Sequence, residues 1–212
     1  MTGTRVKICG LRTPADMAAV AAAGAAYVGL NFFPKSPRYV TLDEARALAF
    51  VAPEGLCKVA LTVDADDATL DAILDGLPVD MLQLHGHETP DRVAEVKARY
   101  RLPVMKVLGV ADEGDLAGLM EMSLVADQIM IDAKPPTGAV LPGGNGVIFD
   151  WRLLVGRKWL RPWMLAGGLT PANVGEAVRL TGARQVDVAS GVESAPGVKD
   201  HALIAAFVAS AG

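Results

Sequence analysis

Short apolar runs recur along the whole chain, and most are followed by a longer segment whose apolar positions return every three or four residues. The first pattern predicts strands, and the second predicts helices packed by one face. The strands expected on this basis are RVKIC (5–9), YVGLNF (27–32), KVALTV (58–63), DMLQLH (80–85), PVMKVL (103–108), DQIMID (127–132), PWMLAG (162–167) and QVDVAS (185–190). Helical patterning falls near 14–24, 41–52, 66–76, 89–100, 112–122, 150–156, 171–181 and 199–210. Three of these helices carry a Thr-Pro start, at Thr13-Pro14 (with Asp16 behind it), Thr89-Pro90 and Thr170-Pro171. Threonine suits the N-cap, and proline suits the first helical position because its missing N–H would have been unpaired there.

Eight βα units with no intervening linker predict an α/β fold, a (β/α)8 TIM barrel forming a single domain over residues 1–212. A doubly wound open sheet is the alternative. It is disfavoured because polar residues collect at the C-terminal ends of nearly all the strands, not at one crevice. Strand alternation directs Val6 and Ile8 outward and Arg5, Lys7 and Cys9 into the barrel. By the same count Met81, Gln83, His85, Met130, Asp132, Gln185 and Asp187 face inward. Leu82, Leu84, Ile129, Ile131, Val186 and Val188 face the helices. Cys9 and Asp132 are then the last residues of their strands, at the mouth where barrels carry their chemistry.

Composition narrows the function classes. The chain has 212 residues, 51% hydrophobic and 21% charged, so a large core is expected and disorder is not. A net charge of −4 and a pI near 5.4 argue against a nucleic-acid or anionic-membrane surface, though not against a local basic pocket for an anion. Two cysteines make no disulfide framework and fit a reducing cytoplasm. The N-terminus lacks the charged-then-apolar order of a signal peptide. The apolar stretch at residues 17–30 falls short of the ~18 residues expected of a membrane span.

Several residues at the mouth can carry chemistry. Cys9 is either a small buried hydrophobe or a thiol facing a pocket, and Lys7 on the same face would favour its thiolate. Cys57 opens a strand at the opposite end of the barrel and reads as core. Asp132 is a turn-former or a carboxyl facing Cys9 across the mouth; in the second case the two make an acid–base pair. Gly167 and Gly168 follow the seventh strand, and Ser190 and Gly191 follow the eighth. Loops in these two places commonly bind phosphate in this fold through backbone N–H groups. Arg38, in a proline-stiffened loop, is a surface cation or a fork for a carboxylate. The loop AKPPTGAVLPGGNGVIFDW is a linker, a lid, or a close approach to ligand. His85 and His87 suggest metal ligands, but His201 belongs to the last helix on the outside, so the set is incomplete and no metal site is expected.

KICGL, SPRYV, QLHG, IDA, GGNGVIFDW, LAGGLTPANV and DVASGVESAPGVKD, in that order from Lys7 to Asp200, together resemble the N-(5′-phosphoribosyl)anthranilate isomerase family of tryptophan biosynthesis. Asn145 departs from the usual GGTG, and Ala189 stands where serine is frequent. The resemblance implies an Amadori rearrangement of a phosphorylated aminosugar without a cofactor. In it Asp132 acts as general acid and Cys9 as general base. It further implies Arg38 near the anthranilate carboxylate, Asp187 at the ribose, and Gly168, Ser190 and Gly191 at the phosphate. Lys7 and Gln83 are expected to line the same substrate site, with Gly167 beside the phosphate. Monomer and homodimer both remain open. Two other classes compete: a different phosphosugar isomerase, which would carry an Asp–Asp pair, and a catalytically silent phosphate-binding barrel, which would not need Cys9 and Asp132 together.

Overall fold

The computed structural model of the chain describes residues 3–135, 138–139 and 141–212. Pro136, Thr137 and Val140, in the long loop flagged above, lie outside the described residues. Eight parallel strands close into a barrel in sequence order: β1 (Arg5–Cys9), β2 (Tyr27–Asn31), β3 (Cys57–Thr62), β4 (Met81–Leu84), β5 (Val104–Val110), β6 (Gln128–Ala133), β7 (Trp163–Leu165) and β8 (Gln185–Val188). The open-sheet alternative is excluded by the pairing of β8 back onto β1. Helices α1 (Pro14–Ala22), α2 (Leu42–Val51), α3 (Asp67–Leu74), α4 (Pro90–Tyr100), α5 (Leu119–Val125), α6 (Val174–Thr181) and α7 (His201–Ala211) complete the fold.

The alternation holds in detail. Val6, Ile8, Leu82, Leu84, Ile129, Ile131, Val186 and Val188 join the large core that includes the inner faces of the helices. A second apolar cluster, Tyr27, Val59, Met105, Val107, Met130, Met164 and Ala166, fills the bore. Beneath it, Tyr27 Oη donates to Gln185 Oε1 at 2.8 Å and Gln128 Nε2 donates to the same oxygen at 3.2 Å. The Arg5 guanidinium sits 4.4 Å over the Tyr27 ring, a cation–π contact. Cys57, half-buried at the start of β3, packs against the bore cluster.

Two Thr-Pro starts behave as expected and one does not. Thr13 and Asp16 form a reciprocal capping box on α1, and Thr89 caps α4 with Pro90 in the first position. At Thr170, however, the helix does not begin. Asn173 takes the Thr170 N–H on its Oδ1 and donates from Nδ2 to the Gly168 carbonyl, which folds residues 171–173 into turns and delays α6 to Val174. The expected helix at 112–122 is divided into a 3-10 turn (Glu113–Leu116) and α5, and that at 150–156 is only a 3-10 turn (Trp151–Leu154). A hairpin not anticipated from the sequence, β9 (Glu193–Ala195) with β10 (Val198–Lys199), follows β8.

Candidate active site

Strand register and parity bring the polar residues together. β1 pairs with β8 so that Lys7 lies opposite Asp187, and with β2 so that Cys9 lies opposite Gly29. Both pairs fall at the mouth end of the bore. Lys7 Nζ donates to Asp187 Oδ1 at 2.8 Å, with the lysine fully buried. Cys9 is the last residue of β1; Asp132 is one residue short of the end of β6, since Ala133 still belongs to the strand.

Gly29 makes room for the thiol and the ammonium. A Cβ there would lie 2.6 Å from Cys9 Sγ and 3.1 Å from both Lys7 Nζ and the Cys9 Cα. Gly29→Ala is therefore expected to push Sγ out of place and lower kcat/KM by roughly ten- to a hundredfold, with secondary structure intact. Circular dichroism alongside turnover is the check, and full activity would mean that the thiol tolerates displacement.

Lys7 favours the Cys9 thiolate as expected, but burial works against it. Burial pushes the Cys9 thiol above its ordinary range; the nearby Lys7 ammonium pulls the other way, and Asp187 adds to the rise. Burial would lower the Lys7 ammonium too, but Asp187 and Cys9 outweigh it and hold it above its usual range. The lysine charge is largely answered by Asp187, so it offsets burial only in part. On balance the thiol is held above its ordinary range. Lys7 does not line the pocket; it lies beneath, touching Cys9 and Asp187, so its action reaches a ligand through them.

Cys9, Asp132, Gln83, Asp187 and Arg38 line one pocket, together with Asn31, Phe33, His85, Ala189 and the loop 141–144. It encloses about 450 Å³ of empty space including its open mouth. Asp132 Oδ1 accepts from the Ala133 N–H at 2.8 Å, which turns Oδ2 toward His85 Nε2 at 3.4 Å. Gly143 lies directly over this pair: a Cβ there would sit 2.5 Å from Asp132 Oδ2 and 2.7 Å from His85 Cε1. The glycine-rich loop thus approaches the site closely instead of linking past it. Asn145, where the family pattern has threonine, ties the loop to itself by donating to the Leu141 carbonyl at 3.1 Å. Lys134 points elsewhere, in an ion pair with Asp115.

His85 and His87 do not converge. His87 is exposed and pairs with Asp64 at 3.1 Å, whereas His85 faces Asp132. Sequence parity had turned His85 inward, but only as a metal candidate; its neighbourhood with Asp132 needed the fold. Gln83 is 1% exposed and its Oε1 has no hydrogen-bond partner among the described residues. An acceptor buried at a pocket wall without a partner is unfavourable until a ligand donates to it.

Arg38 reaches the mouth because its loop is braced. Asn31 Nδ2 and the Arg38 N–H both donate to Ser36 Oγ at 3.1 Å, and Asn31 Oδ1 accepts from the Phe33 N–H at 2.8 Å. Its guanidinium is not free, however. Nε and Nη2 grip Glu193 at 2.8 and 2.9 Å and Nη2 also donates to the Gly144 carbonyl at 3.4 Å, so the side edge of the fork is occupied; Nη1, beside Gly144, donates to none of the described residues.

The four residues expected at the phosphate do not line this pocket. Gly167 and Gly168 have φ of +88° and +61°, beyond the end of β7. Gly191 touches the same turn, since a Cβ on it would lie 1.9 Å from the Leu169 carbonyl oxygen. The N–H groups of Gly168, Ser190 and Gly191 donate to none of the described residues. Ser190 borders an adjoining cleft with Gly144–Gly146, and Arg38, Leu141 and Gly144 line both hollows. The two halves meet at Arg38 and the glycine-rich loop.

Residues 6–210 match the family described as N-(5'phosphoribosyl)anthranilate (PRA) isomerase. A protein of that name from Cereibacter sphaeroides is 70% identical over the full length of both chains. One from a Ruegeria species is 64% identical, covering 100% of this chain and 99% of its own. Among solved structures, the phosphoribosyl anthranilate isomerase of Thermotoga maritima superposes with a TM-score of 0.88 at 33% identity over 98% of each chain. Another, at 0.83 and 31% with the same coverage, is a complex of such an isomerase with reduced 1-(o-carboxyphenylamino)-1-deoxyribulose 5-phosphate. This chain belongs to the N-(5'-phosphoribosyl)anthranilate isomerase family.

Proposed function

We propose that this chain converts N-(5′-phosphoribosyl)anthranilate into 1-(2-carboxyphenylamino)-1-deoxyribulose 5-phosphate with Asp132 as acid and Cys9 as base, in tryptophan biosynthesis. The observation that carries these roles is that Cys9 and Asp132 line one pocket from different strands. Asp132 Oδ2 gives its proton to the furanose ring oxygen; the bond from that oxygen to C1′ breaks and leaves a protonated Schiff base. The Cys9 thiolate then takes the C2′ proton, and the electron pair of that C–H bond neutralises the iminium to an enolamine. Tautomerisation delivers the ketose. No step in this sequence calls for a metal or a redox cofactor.

The other residues divide the substrate between them. Arg38 Nη1 meets the anthranilate carboxylate, Asp187 the ribose hydroxyls, and Gln83 Oε1 accepts a substrate donor. The N–H groups of Gly168, Ser190 and Gly191, which donate to none of the described residues, receive the phosphate, with Gly167 shaping the turn. The barrel acts as one domain, as monomer or homodimer, with small molecules and not nucleic acid or membranes as partners. None of its helices is long and apolar enough to cross a membrane among the described residues, and two free cysteines favour the cytoplasm.

Loss of the fluorescent substrate on adding the purified protein is the direct test. Binding of the reduced product analogue with no turnover would instead support a silent phosphate-ligand barrel. Arg38→Ala is expected to weaken the analogue that bears the benzoate carboxylate by roughly ten- to a hundredfold and its decarboxylated counterpart far less. Inhibition constants for the two compounds give the comparison, and equal losses would place the arginine's role elsewhere.

A further inference from the structure

Residues 192–200 (VESAPGVKD) take no part in the chemistry proposed above, yet they fold into the β9–β10 hairpin, whose register sets Glu193 opposite Lys199. The Glu193 carboxylate is saturated. Its Oε1 accepts from Arg38 Nε and from Lys199 Nζ, each at 2.8 Å; its Oε2 accepts from Arg38 Nη2 at 2.9 Å and from the Gly197 N–H at 3.3 Å. Both acidic and guanidinium side chains are nearly inaccessible, at 4% and 6%. Lys199 is tied in turn to the Ala189 carbonyl at 2.9 Å, at the pocket wall. At the hairpin turn Gly197, with φ +78°, lies against the Pro37 carbonyl, one residue before Arg38.

We infer that Glu193 is a positioning residue for substrate recognition: it grips Arg38 by the side edge of the fork and presents the Nη1 end to the ligand carboxylate. This rests on the reading of Arg38 as the carboxylate-binding residue. A guanidinium on a flexible stem has many rotamers, and fixing it before the ligand arrives removes that ordering cost from binding. With Nε and Nη2 committed, one end of the fork remains, so the carboxylate must approach end-on. Burial acts to raise the Glu193 carboxyl, but Arg38 and Lys199 outweigh it and hold it below the usual carboxylate range, so it stays ionised.

Charge and aim make opposite demands. Arg38, Glu193 and Lys199 together carry one net positive charge; removing the carboxylate leaves two and would draw an anionic ligand closer if charge alone mattered. The test measures inhibition by the reduced product analogue and its decarboxylated counterpart in wild type, Glu193→Gln, Arg38→Ala and the double variant Glu193→Gln/Lys199→Met. The double variant restores the net charge without restoring the grip, and it carries the test if Glu193→Gln does not fold. Loss of aim predicts that both Glu193 variants bind the carboxylate-bearing analogue about tenfold more weakly and the decarboxylated one as before, with KM rising more than kcat falls. Unchanged or tighter binding of the carboxylate-bearing analogue in the Glu193 variants, beside a carboxylate-specific loss in Arg38→Ala, overturns this inference alone. Equal losses for the two analogues in Arg38→Ala overturn the carboxylate reading and this inference with it.

Discussion

Asp132→Asn is expected to lower kcat by ~10²–10⁴-fold while the reduced product analogue still binds at close to its wild-type strength. The amide matches the carboxyl in shape, so Oδ1 keeps the Ala133 N–H and the close cover of Gly143 is undisturbed. What disappears, on the proposed reading, is the group that passes a proton to the substrate, beside His85. A loss confined to kcat would mark an interaction made at the transition state, whereas a matching loss in analogue affinity would mark mere binding. Steady-state turnover and one inhibition constant are enough to tell them apart. Near-normal turnover in the variant would remove Asp132 from the acid's role.

Cys9→Ala should fall at least as far, roughly 10³-fold or more, because alanine carries no group to take the C2′ proton. Cys9→Ser should rescue little, a hydroxyl being far less acidic than a thiol. The pH dependence follows from the buried thiol. Its range is raised by burial, so the fraction present as thiolate increases with pH through and above the ordinary thiol range, and kcat/KM should climb along that limb. Lys7→Met takes away the ammonium that pulls the thiol down, and the limb should move to still higher pH. Removing one partner of the buried pair with Asp187 costs about 3–5 kcal/mol, so folding must be checked in that variant first. A kcat/KM profile that is flat between about pH 7 and 10, together with an active Cys9→Ala, would falsify the assignment. Alkylation is a poor probe of Cys9, which is 5% exposed, while Cys57 is half-buried and more open to reagent.

Strand parity was legible in the sequence because it depends only on counting by two. Once KICG is a strand ending at Cys9, Lys7 and Cys9 share a face, and the same count turns Gln83, Asp132 and Asp187 inward. Helix starts were legible where a threonine met its partner locally, as at Thr13, and failed at Thr170, where Asn173 took the Thr170 N–H instead. The segment 150–156 was misread because a few apolar positions cannot tell a single 3-10 turn from a helix, and a helix so short lacks the hydrogen bonds to offset its nucleation. The side chains that answer one another across the chain were beyond reach. Lys7 with Cys9 suggested an activated thiol, and only the register with Asp187, 180 residues away, shows where the lysine charge goes. Glu193 and Lys199 stood inside a recognised motif without a task. The Pro196-Gly197 pair between them was a turn signal that would have predicted the hairpin, though not its grip on Arg38.

The bore of the barrel beneath the pocket is plugged by Met105, Met130 and Met164 and floored by Tyr27 with its two glutamines. Among the described residues the site therefore opens at the mouth of the barrel and not through its floor. A ligand that enters at the mouth leaves at the mouth, so substrate and product compete for the same passage. A released product that lingers at the threshold blocks the next arrival, and the residues framing that threshold govern traffic in both directions.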